Sequence, residues 1–393
     1  MLKRQDGYLL KQIHNKTYLL PFGQNIADQK RGILLNETGE FLWNALETPQ
    51  EMHSLEEQLI AHYQIPSSDR EELHADVAAF VHQLLSLGIL REELHCTQNQ
   101  CCKSMQIADI LIHFYGSEQS IPEQFEPFFV ENLLESDNTM DDTVAHSEMD
   151  IEILSTPPVR HQNGKVLLRN RDMTIHKWEE GYIVFFPEFK NISETYITKD
   201  GRYVRIHCSG IFNQAERDNI FHAIRLFFLY HAQIRGYFAL HSASILYHEK
   251  AWLFSGHSGM GKSTHTALWH ELLQTPYLNG DLNLIGIKNG DPVVYGIPWC
   301  GTSGIFTTET QELGGIVLLG RDTNDHVKEL PVNEKVLRVM QRMISPAWTG
   351  ELLEKNLEFS EELVELIPVW NLYCTKKDNS VYTIKSVIDK TTT

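Results

Sequence analysis

The apolar positions in the first 92 residues change from strand-like to helical spacing along the chain. Short apolar runs cover residues 8–14 and 17–21, and the Asn15-Lys16 pair between them favours a tight hairpin. A third short run covers residues 32–35. Helical periodicity follows, so we predict a unit of three strands and three helices over residues 1–92.

Polar residues predict where the three helices begin. Asn36 is typical of an N-cap for the first helix. The pairs Ser54 with Glu57 and Ser68 with Glu71 match the capping-box pattern for the second and third helices. The third helix carries apolar residues at helical spacing, which predicts that one of its faces packs into a core.

A polar stretch without periodicity at residues 93–106 predicts a linker. A second region then extends from residue 107 to residue 393. A helix with one apolar face is predicted over residues 214–234. Strand-like runs in this region are at residues 165–169, 181–186, 194–198 and 202–207.

Length and charge narrow the class of protein. A chain of 393 residues is longer than one hydrophobic core usually spans, so we expect two or three domains. The formal net charge is -18, which disfavours binding to nucleic acid or to an anionic membrane. No apolar run is long enough to span a bilayer and the N-terminus lacks a secretory signal, so we expect a cytoplasmic protein. The six cysteines form no CxxC pair, which argues against a structural zinc site.

The strongest motif is a glycine loop between a strand and a helix. The apolar run 251–255 is followed by Gly-x4-Gly-Lys-Ser-Thr and then by a helical run at residues 265–273. Glycines let successive backbone N–H groups turn toward phosphate oxygens, and the following helix directs its positive end to the same place. Lys262 adds a full charge, and Ser263 offers a hydroxyl to Mg²⁺. The predicted nucleotide-binding residues are Gly256, His257, Ser258, Gly259, Met260, Gly261, Lys262, Ser263 and Thr264.

The surroundings of this loop resemble a known family. Asp281 follows Lys262 by only 19 residues, and His241 opens the preceding strand. This pattern is similar to the catalytic domain of bacterial HPr kinase/phosphorylase, a fold related to the ATP-dependent phosphoenolpyruvate carboxykinases. The resemblance covers about residues 235–330. It implies an α/β P-loop kinase domain that uses ATP and Mg²⁺, and it leaves a homo-oligomer open.

Three departures from that family change the expected substrate. Gly280 stands where the family has the first of two aspartates, and Thr264 stands where glutamate is usual. The segment 295–302 has no clear likeness to the family's phosphorolysis signature. We therefore expect neither phosphorolysis nor HPr as the substrate. The pattern looks closer to HPr-kinase-like enzymes of peptide biosynthetic clusters, such as lasso-peptide kinases that phosphorylate a precursor serine.

The N-terminal unit resembles the PqqD family of precursor-peptide recognition domains. The resemblance is carried by residues 35–43, by Asp76-Val77 and by residues 84–90. It implies an α+β domain of winged-helix type to which a leader peptide adds as a strand, facing the last helix. The alternative is a small domain that merely pairs with another protein or with itself. The implied peptide-binding residues are Gly32, Ile33, Leu34, Leu35, Val77 and Val81.

Asp281, Lys262 and His241 are the candidate catalytic residues. Asp281 could accept the proton of a substrate hydroxyl or, with Ser263, hold Mg²⁺, and the sequence leaves both roles open. The alternative reading of Asp281 is a turn residue, and that of His241 is a packed core group. Trp299 and Cys300 lie in a Pro/Gly-bounded segment that could shape the acceptor pocket. Arginine after a strand, as at Arg321, is more often a solvated surface group.

Together these patterns predict a kinase that phosphorylates a serine or threonine of a ribosomally made precursor peptide, whose leader the N-terminal domain binds. Two alternatives remain open: a kinase of a free small molecule such as an amino acid, and a non-catalytic peptide chaperone that binds nucleotide. The precursor, the acceptor residue and the oligomeric state are not readable from the sequence.

Overall fold

The structure is a computed structural model that describes residues 1–92, 101–130, 147–156, 158, 164–178, 180–375 and 377–391. The chain divides into two compact units. The first contains residues 1–99, 154–199 and 205–209, and the second contains residues 100–153, 200–204 and 210–393. Among the described residues, no helix has the length and apolar character needed to cross a membrane.

Strands and helices are numbered in chain order. The strands are β1 Leu2–Arg4, β2 Tyr8–Ile13, β3 Lys16–Pro21, β4 Ile33–Leu35, β5 Leu90–Glu92, β6 Lys103–Ile107, β7 Ile110–Gly116, β8 Phe129–Val130, β9 Ser147–Leu154, β10 Lys165–Arg169, β11 Thr174–Trp178, β12 Gly181–Phe185, β13 Ile192–Thr198, β14 Tyr203–Cys208, β15 Phe238–Tyr247, β16 Lys250–Ser255, β17 Leu282–Lys288, β18 Asp291–Tyr295, β19 Thr310–Arg321, β20 His326–Lys328 and β21 Val369–Cys374. The helices are α1 Gln24–Ala27, α2 Glu37–Ala45, α3 Met52–Tyr63, α4 Arg70–Ser86, α5 Gln214–Ile234, α6 Lys262–Leu273, α7 Val332–Met340, α8 Gly350–Leu366 and α9 Asn379–Thr391.

The N-terminal domain, residues 1–92, is a three-stranded sheet packed against helices α2, α3 and α4. The predicted hairpin is confirmed as β2 and β3, and β4 pairs with the other side of β3. The sheet order β2-β3-β4 leaves β4 at an edge. The structure adds two features that the apolar pattern did not predict: the short helix α1, and the pairing of β1 with β5.

Helix capping in this domain is predicted correctly at one helix and wrongly at two. The side chain of Asn36 accepts a hydrogen bond from the Gly39 amide, as expected of an N-cap. Helix α3 begins at Met52, before Ser54, so the Ser54 hydroxyl donates to Gln50 instead. Residues 67–69 form a 3₁₀ turn ahead of α4, which removes Ser68 from the capping position. The two capping-box predictions at Ser54 and Ser68 are therefore wrong.

The first unit also contains the antiparallel meander of β10, β11, β12 and β13. All four predicted strands between residues 165 and 207 are confirmed as β10, β12, β13 and β14. Their assignment to this unit differs from the contiguous domains predicted along the chain. Strand β6 begins at Lys103, inside the predicted linker 93–106, and residues 93–100 lie outside the described part.

The second unit is built around strands β15 to β21. Strand β15 pairs with β16 and β17, β17 pairs with β18, and β18 pairs with β19. A parallel pairing of β19 with β16 closes this ring of strands, and β21 and β20 continue from β19. Apolar residues of β16 and β19 alternate between two cores, one of which includes α8 and the other α6 and α9. The predicted helix 214–234 is confirmed as α5, with a capping box formed by Asn213 and Glu216.

Candidate functional site

The glycine loop joins the end of β16 to the start of α6, in the strand–loop–helix order that the sequence predicts. Gly259 and Gly261 adopt φ angles of 73° and 102°. Residues other than glycine rarely adopt this left-handed backbone conformation, so both positions require glycine. The loop residues His257, Ser258 and Gly259 are exposed, as are Ser263 and Thr264 on the first turn of α6.

Strand register brings the three predicted catalytic residues together. In the β15–β16 pair, Ser242 lies opposite Ser255, the last strand residue before the loop. In the β15–β17 pair, His241 lies opposite Leu282, which directly follows Asp281. His241 and Ser242 are the fourth and fifth residues of β15, so His241 lies inside this strand and does not open it as predicted. The glycine loop flanks this part of β15 on one side, and Asp281 flanks it on the other.

The side chains of Lys262, His241 and Asp281 form a chain of contacts that we call the Lys–His–Asp cluster. Lys262 Nζ lies 2.7 Å from His241 Nε2. His241 Nδ1 lies 3.4 Å from Asp281 Oδ1. Because an ammonium group can only donate, Nε2 accepts from Lys262, and the neutral imidazole carries its proton on Nδ1, toward Asp281.

The pKa shifts in the cluster favour a neutral His241 beside a Lys262 that is less basic than usual. Burial, and then the charge of Lys262, lower the pKa of His241, while Asp281 acts in the opposite direction. Burial is also the main cause that lowers the pKa of Lys262, which Asp281 opposes. Perturbed pKa values of this kind are concentrated at functional sites.

A buried polar network fixes the segment that carries Asp281. Asn283 donates to the carbonyl and hydroxyl oxygens of Ser242, and it accepts from Ser244 and Asn279 through its amide oxygen. All four residues are at most 1% exposed. Since buried polar groups of this kind are costly unless satisfied, the network holds β15 and the Asp281 segment in one arrangement. Sequence reasoning missed it, although serines in an apolar strand and two asparagines flanking Asp281 were a visible signal.

The Asp281 segment also explains the missing second acid. A Cβ atom on Gly280 would lie 2.0 Å from Ser303 Oγ and 2.7 Å from Ser303 Cβ. On the other side, a Cβ on Gly301 would lie 2.9 Å from the Asp281 carboxyl carbon, so the backbone at Gly301 packs directly against that carboxylate. Any side chain at position 280 therefore requires Ser303 to shift, and Asp281 supplies the carboxylate of this segment.

Two arginines stand near the cluster. Arg342, which the sequence analysis did not single out, accepts the His241 amide through its carbonyl oxygen at 2.9 Å. Its charge lowers the pKa of both His241 and Lys262, after burial as the main cause. Arg321 Nη2 donates to the Gly259 carbonyl at 2.5 Å, so it braces the glycine loop although its side chain is exposed.

A cavity of about 210 Å³ lies on the other side of the glycine loop. Its lining includes His265, whose pKa burial lowers to about 4, so this imidazole is neutral at physiological pH. The residues that line it are Met260, Gly261, Thr264, His265, Leu268, Arg321, Asp322, Cys374, Thr375 and Ser380. Most contribute apolar or hydroxyl groups, as in many small-molecule sites.

Trp299 and Cys300 lie beside Asp281, in the segment where the sequence placed them. The Trp299 indole N–H donates to the Phe221 carbonyl at 3.0 Å, and the ring is 2% exposed. Burial raises the pKa of the Cys300 thiol, and Asp281 adds to that effect. A raised pKa suppresses the thiolate, so Cys300 is a poor nucleophile.

The six residues implied in peptide binding divide into surface and core. Gly32 and Leu34 are exposed and Ile33 is half-buried. Leu35, Val77 and Val81 are buried in the core of the N-terminal domain. A groove of about 500 Å³ lies between α2, α3 and α4, and of these six residues only Val77 lines it. Any direct peptide contact at β4 therefore falls on Gly32, Ile33 and Leu34, with Val81 as a supporting core residue.

Comparison with known proteins matches the N-terminal domain to a family. Residues 26–90 match the family described as coenzyme PQQ synthesis protein D (PqqD). No curated protein matches the chain at a significant level. A solved structure described as TbiB1 in complex with the TbiA(beta) leader peptide is 18% identical, with a TM-score of 0.20, and the alignment covers 24% of this chain and 99% of that one.

A second solved structure is the HPr(Ser) kinase/phosphatase from Coxiella burnetii. It is 10% identical, with a TM-score of 0.25, over 39% of this chain and 89% of that one. The PqqD resemblance is confirmed by the family match, and the N-terminal domain is a PqqD-like domain over residues 26–90.

Proposed function

We propose that this protein is an ATP-dependent kinase that phosphorylates a serine or threonine hydroxyl of a ribosomally made precursor peptide. The observation that carries the proposal is the Lys–His–Asp cluster at the end of a glycine loop. A loop lysine and a single carboxylate lie on either side of one imidazole, at 2.7 Å and 3.4 Å. In this proposal Lys262 is the cation that binds phosphate and Asp281 is the base, so both act on one reacting group.

The glycine loop fits a polyphosphate. Its exposed residues present backbone N–H groups, and α6 is twelve residues long, enough for its N-terminus to attract anions. The Lys262 side chain would move away from His241 and bind the outer phosphates. The base of the nucleotide would occupy the cavity beside Met260 and Leu268, which shares Gly261 with the loop.

The residues present also fit a magnesium ion. Mg²⁺ keeps several waters and takes one or two protein oxygens together with substrate phosphates, so it needs no complete protein cage. Ser263 offers an exposed hydroxyl and Asp281 an accessible carboxylate. When bound, the ion supplies charge neutralisation on the phosphates.

Asp281 is the candidate general base. As the acceptor oxygen forms its bond to the γ-phosphorus, the bond from that phosphorus to the β–γ bridging oxygen breaks and ADP leaves. The hydroxyl proton passes to the Asp281 carboxylate. The Gly301 backbone packs against this carboxylate, and the buried network around Asn283 holds the segment that carries it. His241 Nδ1 lies 3.4 Å from Asp281 Oδ1.

The PqqD-like domain would hold the leader and thereby raise the local concentration of the acceptor hydroxyl. Its strand β4 has β3 on one side and is an edge of the sheet on the other. An added strand would use the backbone of residues 32–34 for affinity, and the exposed Leu34 would contribute a side-chain contact.

The test is transfer of labelled γ-phosphate from ATP to candidate precursor peptides translated from short reading frames near the gene for this chain. We expect labelled peptide, and a loss of about 100-fold or more for Asp281→Asn because the base is removed. Deletion of residues 1–92 should raise the KM for full-length precursor and leave the KM for ATP unchanged. Transfer to free amino acids instead would support the small-molecule kinase, and tight ATP binding without transfer to any hydroxyl would support the chaperone.

A further inference from the structure

A second, larger cavity adjoins Asp281 on the side opposite the glycine loop. It has a volume of about 660 Å³, and its lining includes Cys300 and Gly301. Gly301 is also the residue whose backbone packs against the Asp281 carboxylate. One residue therefore separates this cavity from the candidate base, and we call it the acceptor cavity.

The floor of the acceptor cavity is aromatic and rigid. The Trp299 ring packs 5.7 Å from the Phe221 ring and is fixed by its indole hydrogen bond to the Phe221 carbonyl. At the rim, Phe306 is 36% exposed and stacks on Phe128 with ring centroids 5.9 Å apart. A preformed aromatic surface with one exposed ring favours an apolar or aromatic side chain of a ligand.

The charged groups of the cavity favour a cation. Glu123, Glu126 and Asp218 line it, against one guanidinium, that of Arg225. Glu123 already pairs with Arg217, which leaves the carboxylates of Glu126 and Asp218. Asp218 accepts hydrogen bonds from the neutral side chain of Gln124 at 2.8 Å, so its charge is not cancelled there.

The histidine in the lining, His222, does not change this balance of charge. The pKa of His222 is lowered by burial and then by Arg225, so the imidazole is neutral at neutral pH.

The volume of the acceptor cavity indicates the size of its ligand. Ligand sites for drug-sized molecules span about 300–1,000 Å³, and this cavity lies in the upper part of that range. It has room for several side chains rather than for one amino acid.

We propose that the acceptor cavity binds the residues that flank the acceptor hydroxyl, and that it selects a peptide carrying a lysine or arginine together with an aromatic or large apolar residue. This inference rests on the proposed phosphate transfer at Asp281. It adds that specificity for the modified segment lies in the second unit, in Glu126, Asp218 and Phe306, separately from leader recognition by residues 1–92.

The experiment measures binding and transfer separately, with four synthetic peptides that have one central serine. Their flanking pairs are Phe and Lys, Ala and Lys, Phe and Glu, and Ala and Ala. Binding to the full chain is measured by fluorescence anisotropy in the presence of a non-hydrolysable ATP analogue. We expect the Phe/Lys peptide to bind about 3- to 10-fold tighter than the Phe/Glu peptide, because the charge interacts with partly screened carboxylates.

Variants locate the effect in the cavity. Glu126→Gln should weaken the two lysine peptides about 2- to 5-fold and leave the Ala/Ala peptide unchanged, as expected for one exposed charge pair. Phe306→Ala should weaken only the two phenylalanine peptides. Glu361→Gln, the same charge change on the exposed face of α8, should alter none of them.

Equal affinity for the four peptides, no detectable binding, or the same shift from Glu361→Gln would overturn the inference. Labelled transfer keeps this failure distinct from failure of the proposed kinase. Transfer at equal rates to all four peptides would support the proposed kinase activity and contradict the proposed selectivity. Selective binding without transfer to any peptide would support the selectivity of the acceptor cavity and contradict the proposed kinase activity.

Discussion

The PqqD-like domain and the Lys–His–Asp cluster would contact their partners by different physical means. In the first, strand β4 offers backbone groups at a sheet edge and the largely exposed side chain of Leu34. In the second, three ionisable side chains from three elements meet within 3.4 Å, and burial perturbs two of them. Edge recognition tolerates many side chains, whereas the cluster depends on residue identity. Substitutions should therefore have graded effects in one region and all-or-none effects in the other.

The largest expected effect is at Lys262. Lys262→Met keeps much of the apolar stem but removes the charge, so phosphate transfer should fall by about 100- to 1,000-fold, as for loss of a preorganised charge donor. The measurement is initial rate with labelled ATP, beside Lys328→Met on the exposed strand β20. Activity retained in Lys262→Met would remove the cluster from the mechanism.

A carboxylate at position 280 tests whether one acid is all that the fold admits. Gly280→Asp should lower the free energy of unfolding by about 1–3 kcal/mol, because the new Cβ overlaps Ser303, and it should not raise activity. The double variant with Ser303→Gly should recover part of the loss in thermal unfolding. Gly350→Asp is the matched control, since its Cβ would meet nothing within 4 Å.

Acid should destabilise the second unit through its buried imidazoles. Burial lowers the pKa of His265 to about 4, so protons bind the unfolded chain first as pH falls. The stability tied to this residue is therefore complete above about pH 6.5 and is lost between about pH 6.5 and pH 4. His265→Phe should reduce the loss at pH 5 by about 1–2 kcal/mol.

The readout is thermal unfolding at pH 7.5 and pH 5, with exposed His326→Phe as the control. His231, whose pKa burial also lowers to about 4, should retain the remaining acid sensitivity. Equal pH dependence in His265→Phe and the unaltered chain would contradict this assignment.

The smallest effect is expected at the sheet edge. Leu34→Asp should weaken binding of peptides selected from a displayed random library by about 3- to 10-fold, because one side-chain contact is lost while backbone pairing remains. Leu9→Asp provides a close control, since Leu9 on the opposite edge strand β2 is 55% exposed and Leu34 is 56% exposed. Equal losses from both would indicate binding to the sheet face rather than to the β4 edge.

The same contrast explains what the sequence could predict. Gly256 to Thr264, Asp281 and His241 could be predicted as candidate site residues because the expected chemistry restricts residue type and spacing. Arg342 was not predicted, because no motif surrounds it in the sequence. Only the hydrogen bond between its carbonyl oxygen and the His241 amide brings it to the cluster. Val81 was expected at a peptide surface and lies in the core, since a helical stripe does not reveal which side of a helix a ligand reaches.

The segment at residues 154–199 shows a second limit. Strands β10, β12 and β13 were predicted from their apolar runs, whereas β11 was not. The place of the segment in the first compact unit was also not predicted, because another part of the chain separates it from residues 1–92. Local periodicity predicts individual strands and helices, whereas long-range packing decides which of them lie together in one unit.

The contact between Lys262 and His241 has a consequence for proton balance. In the structure the ammonium group occupies Nε2 and depresses imidazole basicity. A polyphosphate that drew Lys262 away would free that nitrogen and bring negative charge close to it, and both changes raise proton affinity. Nucleotide loading would then be accompanied by proton uptake at neutral pH, detectable as an association enthalpy that varies with the ionisation enthalpy of the buffer.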